Sequence, residues 1–92
     1  MSKSISLNDD IKYFTNLTIS VYHFLMINTE KKYSPRDIAL NLHNQDKSTQ
    51  IFTKDIAKSC KLLYRNGWVG QTRDKNRNNI TVFYVRYTKI NL

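Results

Sequence analysis

The chain changes its hydrophobic period once, at Gly67. Ahead of it, Ile56, Cys60 and Leu63 recur at helical spacing, which predicts a helix over residues 53–66. Beyond it the alternation has a period of two. That predicts a strand over residues 68–73, a polar turn at 74–79 and a second strand over 80–88. Glycine at the junction supplies the left-handed residue that commonly ends a helix. With only two Gly and one Pro in 92 residues, a sandwich or barrel built on many tight turns is disfavoured. The expected fold is a single α+β domain over residues 1–92, mostly helical, with three helices and a two- to three-stranded antiparallel hairpin unit at residues 68–88. In the second strand Ile80, Val82 and Tyr84 share one face, and Thr81, Phe83, Val85 and Tyr87 the other. The pattern leaves open which face points inward.

The first half reads as an arm and two helices. Residues 1–8 form the arm, with Ile5 and Leu7 as anchors. A first helix is expected over residues 9–29, capped by Asn8 or Asp9. Phe14, Leu17, Val21 and Leu25 lie on one of its faces. A second apolar stripe, Ile19, Tyr22 and Met26, lies about 100–120° away. One thin core rarely needs both, so Ile19, Tyr22, Met26, Ile5 and Leu7 are expected at a dimer interface. Residues 31–33 read as a short extended piece. Ser34-Pro35-Arg36-Asp37 then opens a second helix over residues 34–43, with a capping Ser, a Pro in the first turn and an acid behind it. Its inner face is Ile38, Ala39 and Leu42. A polar turn follows at 44–50, and Thr53 is the expected cap of the third helix.

Charge is segregated along the chain. Residues 1–46 carry five basic and five acidic side chains, residues 47–92 ten and two, so the whole net charge of +8 lies in the second half. A polyanion is the natural partner of such a segment, because cations that neutralise phosphates release condensed counterions. On the third helix Lys54, Lys58, Lys61 and Arg65 all fall within about 40° of the direction opposite Ile56. Like charges at i,i+3 and i,i+4 cost roughly 0.2–0.5 kcal/mol each. A helix selected for stability alone would mix acids into that face, whereas phosphates would relieve it. Lys47 joins this set. Thr49, Gln50 and Ser59 are the residue types near the helix start that could read base edges. At the hairpin tip Arg73, Lys75 and Arg77 alternate with Asn76 and Asn78, which suits a flanking phosphate or the minor groove.

Other chemistries find little support. One Cys gives no internal disulfide, so a reducing cytoplasm is the expected compartment. Cys60, His23 and His43 are too few for a four-ligand zinc site without carboxylates, and none has an evident catalytic partner. Cys60 reads as a small core residue. No enzyme activity, cofactor, metal or small-molecule ligand is expected. The longest mostly apolar run, residues 17–27, falls short of the roughly 20 residues of a membrane span. Asp9 and Asp10 precede any apolar run, so no signal peptide is read.

The stretch Ile56-Ala57-Lys58-Ser59-Cys60-Lys61-Leu62-Leu63-Tyr64-Arg65-Asn66-Gly67-Trp68-Val69 resembles the recognition helix and first wing strand of winged helix-turn-helix proteins. Tyr33-Ser34-Pro35-Arg36-Asp37-Ile38-Ala39 looks like the lead into their preceding helix, and Tyr84-Val85-Arg86-Tyr87-Thr88 like their closing wing strand. The likeness covers about residues 14–88 and is nearest to the MarR, ArsR and PadR groups of prokaryotic regulators. It implies a third helix in the major groove and wing cations on the backbone. Two departures stand out. The turn between second and third helices is long, and no further C-terminal helix follows the wing. A dimer would then use the first helix and arm, or the tail at 89–92. The expectation is a cytoplasmic, nucleoid-associated homodimer that binds double-stranded DNA with sequence preference and regulates transcription. A plasmid-partition or nucleoid-architectural protein that spreads on DNA is the alternative, and a winged-helix module for protein or RNA is the third reading.

Overall fold

The structure, a computed structural model, describes residues 14–48 and 50–85. Helices α1 (Asn16–Ile27), α2 (Pro35–Gln45) and α3 (Thr53–Arg65) precede strands β1 (Val69–Asp74) and β2 (Ile80–Val85). Among the described residues this is an α+β fold of three helices and one two-stranded antiparallel sheet.

The first helix begins later than its apolar pattern suggests. Thr15 holds extended backbone and its hydroxyl accepts from the Thr18 amide at 3.1 Å, so it caps α1. A continuous helix over 9–29 is therefore corrected to Asn16–Ile27. The expected caps Asn8 and Asp9 lie outside the described residues. At the other end the Asn28 side chain donates to the Phe24 carbonyl at 2.8 Å.

Helix α2 starts as its sequence dictates. Ser34 Oγ accepts from the Asp37 amide at 3.1 Å, and the Asp37 carboxylate accepts from the Ser34 amide at 3.0 Å. These reciprocal bonds form a capping box with Pro35 in the first turn. The helix runs two residues past His43, and Ser48 folds back on Asp46 through its amide and hydroxyl.

Helix α3 has no side-chain cap. Phe52 occupies the cap position and Thr53 is the first helical residue, which corrects the role expected of Thr53. The helix closes on Gly67 (φ +82°), with the Gly67 amide on the Tyr64 carbonyl and the Trp68 amide on the Leu63 carbonyl. This pair of bonds is a Schellman motif, and it turns the chain directly into β1.

The hairpin pairs Val69 with Val85 through Asp74 with Ile80. Its tip is a single 3-10 turn, Lys75–Arg77, followed by Asn78 and Asn79 in left-handed conformation, which asparagine tolerates better than most residues. Tyr33 adds a one-residue bridge to Phe83, so residues 31–33 contribute an edge contact rather than a full third strand. The open question of the strand faces is answered by packing. Phe83, Val69 and Val85 pack with the helices, and Val82 and Tyr84 lie on the opposite face, where Val82 is nonetheless only 1% exposed. Tyr84 lies across Gly70, leaving no room there for a side chain.

The core joins Val21, Phe24 and Leu25 of α1, Ile38 and Ala39 of α2, and Ile56, Cys60 and Leu63 of α3 with Val69 and Phe83. Phe24 was not foreseen on the inner stripe. Helix α3 packs against α1, α2 and β1, which fixes its inner side over nearly its whole length. Among the described residues no helix is long and apolar enough to cross a membrane.

Candidate nucleic-acid interface

The site is built on the outer side of α3. Ile56, Cys60 and Leu63 are at most 1% exposed, and Lys54, Lys58, Lys61 and Arg65 stand exposed on the opposite side. Burial alone pushes the Cys60 thiol up to about 12, which removes the thiolate that nucleophilic chemistry needs.

Ser59 does not belong to this face. It is 6% exposed, and its hydroxyl lies 3.0 Å from the Thr18 hydroxyl between α3 and α1. Its expected role at base edges is corrected: a serine held there cannot reach a groove. Gln50 is exposed just ahead of α3, Lys47 is exposed in the α2–α3 turn, and Thr49 lies outside the described residues.

An open groove brings three elements together. Pro35 and Arg36 at the start of α2, Lys54 and Ala57 at the start of α3, and Asn78 and Thr81 of the hairpin all line it. Arg36 was missed by sequence reasoning. The available signal was a cation in a helix's first turn, where the macrodipole favours acids.

The hairpin cations divide between two surfaces. Arg77 Nη1 and Nη2 donate to Asp37 Oδ2 and Oδ1 at 2.7 and 3.0 Å, tying the tip to α2. That charge is compensated within the fold, which weakens the expectation that Arg77 serves mainly as a phosphate contact. The guanidinium beside Asp37, helped by the bonds from Ser34, holds the carboxyl down at about 2. Arg73 and Lys75 are exposed and border a separate cleft with Lys31 and Lys32. Asn76 and Asn78 are exposed at the tip, and the Asn76 amide bonds to Asp74 Oδ1 at 3.0 Å.

The second stripe of α1 is only partly free. Ile19 is 57% and Met26 44% exposed, joined by Ile27 at 60%. Tyr22 is half-buried and meets the Trp68 ring edge-on at 5.3 Å, so it serves the chain's own packing. Phe14 meets the same indole at 6.0 Å. Ile5 and Leu7 lie outside the described residues. No protein-family model, curated protein or solved structure matches this chain.

Proposed function

We propose that this chain is a double-stranded DNA-binding protein of the winged helix-turn-helix kind that acts as a homodimer and serves as a small transcriptional regulator. Helix α3 would enter the major groove, and the hairpin would lie along the flanking backbone or minor groove. The observation that carries this reading is the exposed row Lys54, Lys58, Lys61 and Arg65 behind a fully buried inner side. Support also comes from the uncapped start of α3, which opens on the groove shared with Arg36 and the hairpin. A phosphate there complements the helix dipole. The exposed Ile19 and Met26 favour a second copy against α1.

One observation favours a spreading, architectural protein as the second reading. With Ser59 turned inward, Gln50 is the remaining described residue of the expected base readers, so sequence preference has few side chains to rest on. Footprinting on the DNA upstream of the chain's own gene separates the two. A pair of protected half-sites one helical turn or a multiple apart supports the regulator. Protection that grows with protein concentration supports spreading. No protection at low salt overturns both.

A further inference from the structure

Helix α1 is exposed along one side and carries no Lys, Arg, Asp or Glu in its 12 residues, in a chain where 24% of residues are charged. Asn16, Ile19, Ser20, His23, Met26 and Ile27 form the exposed side. On a helical wheel all of them fall within about 60° of His23. Ile19 stands four residues before His23 and Ile27 four after, with Ser20 and Met26 three to either side. Two such helices laid antiparallel about a two-fold axis at His23 therefore bring Ile19 of each copy level with Ile27 of the other. A symmetric dimer needs a patch that complements itself in this way. The rest of the surface points to the same occupant. The whole net charge of +8 lies in residues 47–92, so two copies repel one another over most approaches. The cationic row of α3 is opposite the side on which Ser59 meets Thr18 of α1, which leaves the outer face of α1 as the place where two copies meet without opposing charges.

His23 is the one group at the centre of this face that can change charge near neutral pH. Among the described residues it makes no hydrogen bond, ion pair or ring contact. Helix α3, packed against α1, places Asp55 on a groove with Asn16 and Ser20 that His23 does not line, buries Cys60 and carries its cations on the far side. Strand β2, also packed against α1, carries Tyr84 on the face turned from the helices. Tyr22 and Tyr33 are taken up by Trp68 and Phe24. Glu30 and Lys31 lie beyond the end of α1. No carboxylate among these residues is placed to compensate a charged imidazole.

We propose that two copies pair antiparallel through α1 about a two-fold axis at His23, and that protonation of the two opposed imidazoles releases the dimer. The proposal rests on the homodimer reading above and names its control. Packed helices stand about 8–10 Å apart, which brings the two rings together on the axis. In the neutral pair one ring N–H donates to the bare nitrogen of the other, so the buried polar atoms satisfy each other among Ile and Met side chains. In the charged pair every ring nitrogen is a donor, no acceptor faces it, and two like charges share a site without water. A histidine in water takes up its proton at about pH 6.5. The paired state resists that proton, so the dimer weakens as pH falls through this range and holds above it. Release of the dimer separates the two α3 rows that a pair of half-sites requires.

The test uses the full chain without DNA. Sedimentation equilibrium at about pH 7.5 and about pH 5.5 reads the dimer dissociation constant of wild type and of His23→Gln, and circular dichroism verifies the fold at both. Wild type is expected to dissociate about 10–100-fold more readily at the lower pH, since up to two protons are taken up per dimer released. His23→Gln takes up none there and is expected to change by less than about 2-fold. The axis is tested by mild oxidation of His23→Cys and Ile19→Cys. His23→Cys is expected to give a disulfide-linked dimer and Ile19→Cys is not, because only a residue on the axis brings its two Cα atoms within the roughly 4.4–6.8 Å that a disulfide spans. Cys60 is buried and does not compete. A wild-type dimer of equal strength at both pH values overturns the histidine control and leaves the homodimer standing. An equal pH response in wild type and His23→Gln overturns it as well, by assigning the proton to another group. Crosslinking through position 19 and not through 23 overturns the axis. Wild type that is monomeric at every concentration and both pH values overturns the homodimer reading and this proposal with it.

Discussion

Arg77 grips Asp37 with both terminal guanidinium nitrogens across forty residues of sequence, and Asp37 Oδ2 accepts from the Ser34 amide as well. One carboxylate thus serves a helix cap and an inter-element ion pair. Its carboxyl is held at about 2, below the ordinary 3.8. A depressed carboxyl stabilises the fold above its unfolded value, and that contribution disappears as pH falls from about 4 to about 2. Asp37→Asn is expected to lower stability at neutral pH by about 1 kcal/mol, a figure reduced because the pair is open to solvent. Thermal melts should show the gap between wild type and variant closing at pH 2–3. A gap that stays constant with pH would mean the ionised carboxylate contributes nothing.

Lys58→Glu should move binding and stability in opposite directions. Lys54 and Lys61 lie four residues before and three after it, and Asp55 three before, so the new acid turns two repulsive pairs into attractive ones and one attractive pair into a repulsive one, each worth roughly 0.2–0.5 kcal/mol. The melting temperature is expected to hold or rise. DNA affinity should fall, and the log–log salt slope, about −5 to −9 for a dimer with 6–10 phosphate contacts, should flatten by about 1 per subunit. Fluorescence anisotropy across a salt series measures both effects. Unchanged affinity at moderate salt would remove α3 from the interface.

Ser59→Ala should cost stability and leave DNA binding nearly as it was. Thr18 keeps the Thr15 hydroxyl at 3.2 Å as a neighbour, so its own group is not stranded. A loss of about 0.5–1.5 kcal/mol is expected, a drop in melting temperature of several degrees for a domain of this size. Urea unfolding beside a binding titration checks it. Affinity lost without stability would return Ser59 to the interface.

Ile19→Glu and Met26→Glu should give monomers by light scattering, with melting transitions close to wild type, because both side chains are exposed in a single subunit. Tyr22→Glu should instead destabilise the subunit itself, by breaking the edge-on contact with Trp68. Dimers that persist in both Ile19→Glu and Met26→Glu would place the contact elsewhere.

Local spacing carried most of the fold into view. The Gly67 stop, the Ser34-Pro35-Arg36-Asp37 start and the cationic row on α3 each depend on residues within a few positions of one another, where helical geometry alone decides neighbours. The start of α1 was obscured because Thr15 interrupts an apolar pattern that continues on both sides of it. Ser59 was legible in principle: on a wheel it lies about 60° from Ile56, at the margin of the core. Its small polar side chain near the helix start suggested base contact instead. The Arg77–Asp37 pair and the convergence of Lys31 with Lys75 depend on long-range chain placement, which no local pattern encodes.

The hydroxyl contact between Thr18 and Ser59 also acts as an index mark for α3. Turning that helix by a single residue, about 100°, would drag the serine oxygen into water and press a lysine toward α1. The compass bearing of the positive row, held by Ile56, Cys60 and Leu63 in the core, is thus also marked from behind by two oxygen atoms that no ligand of that row would ever touch.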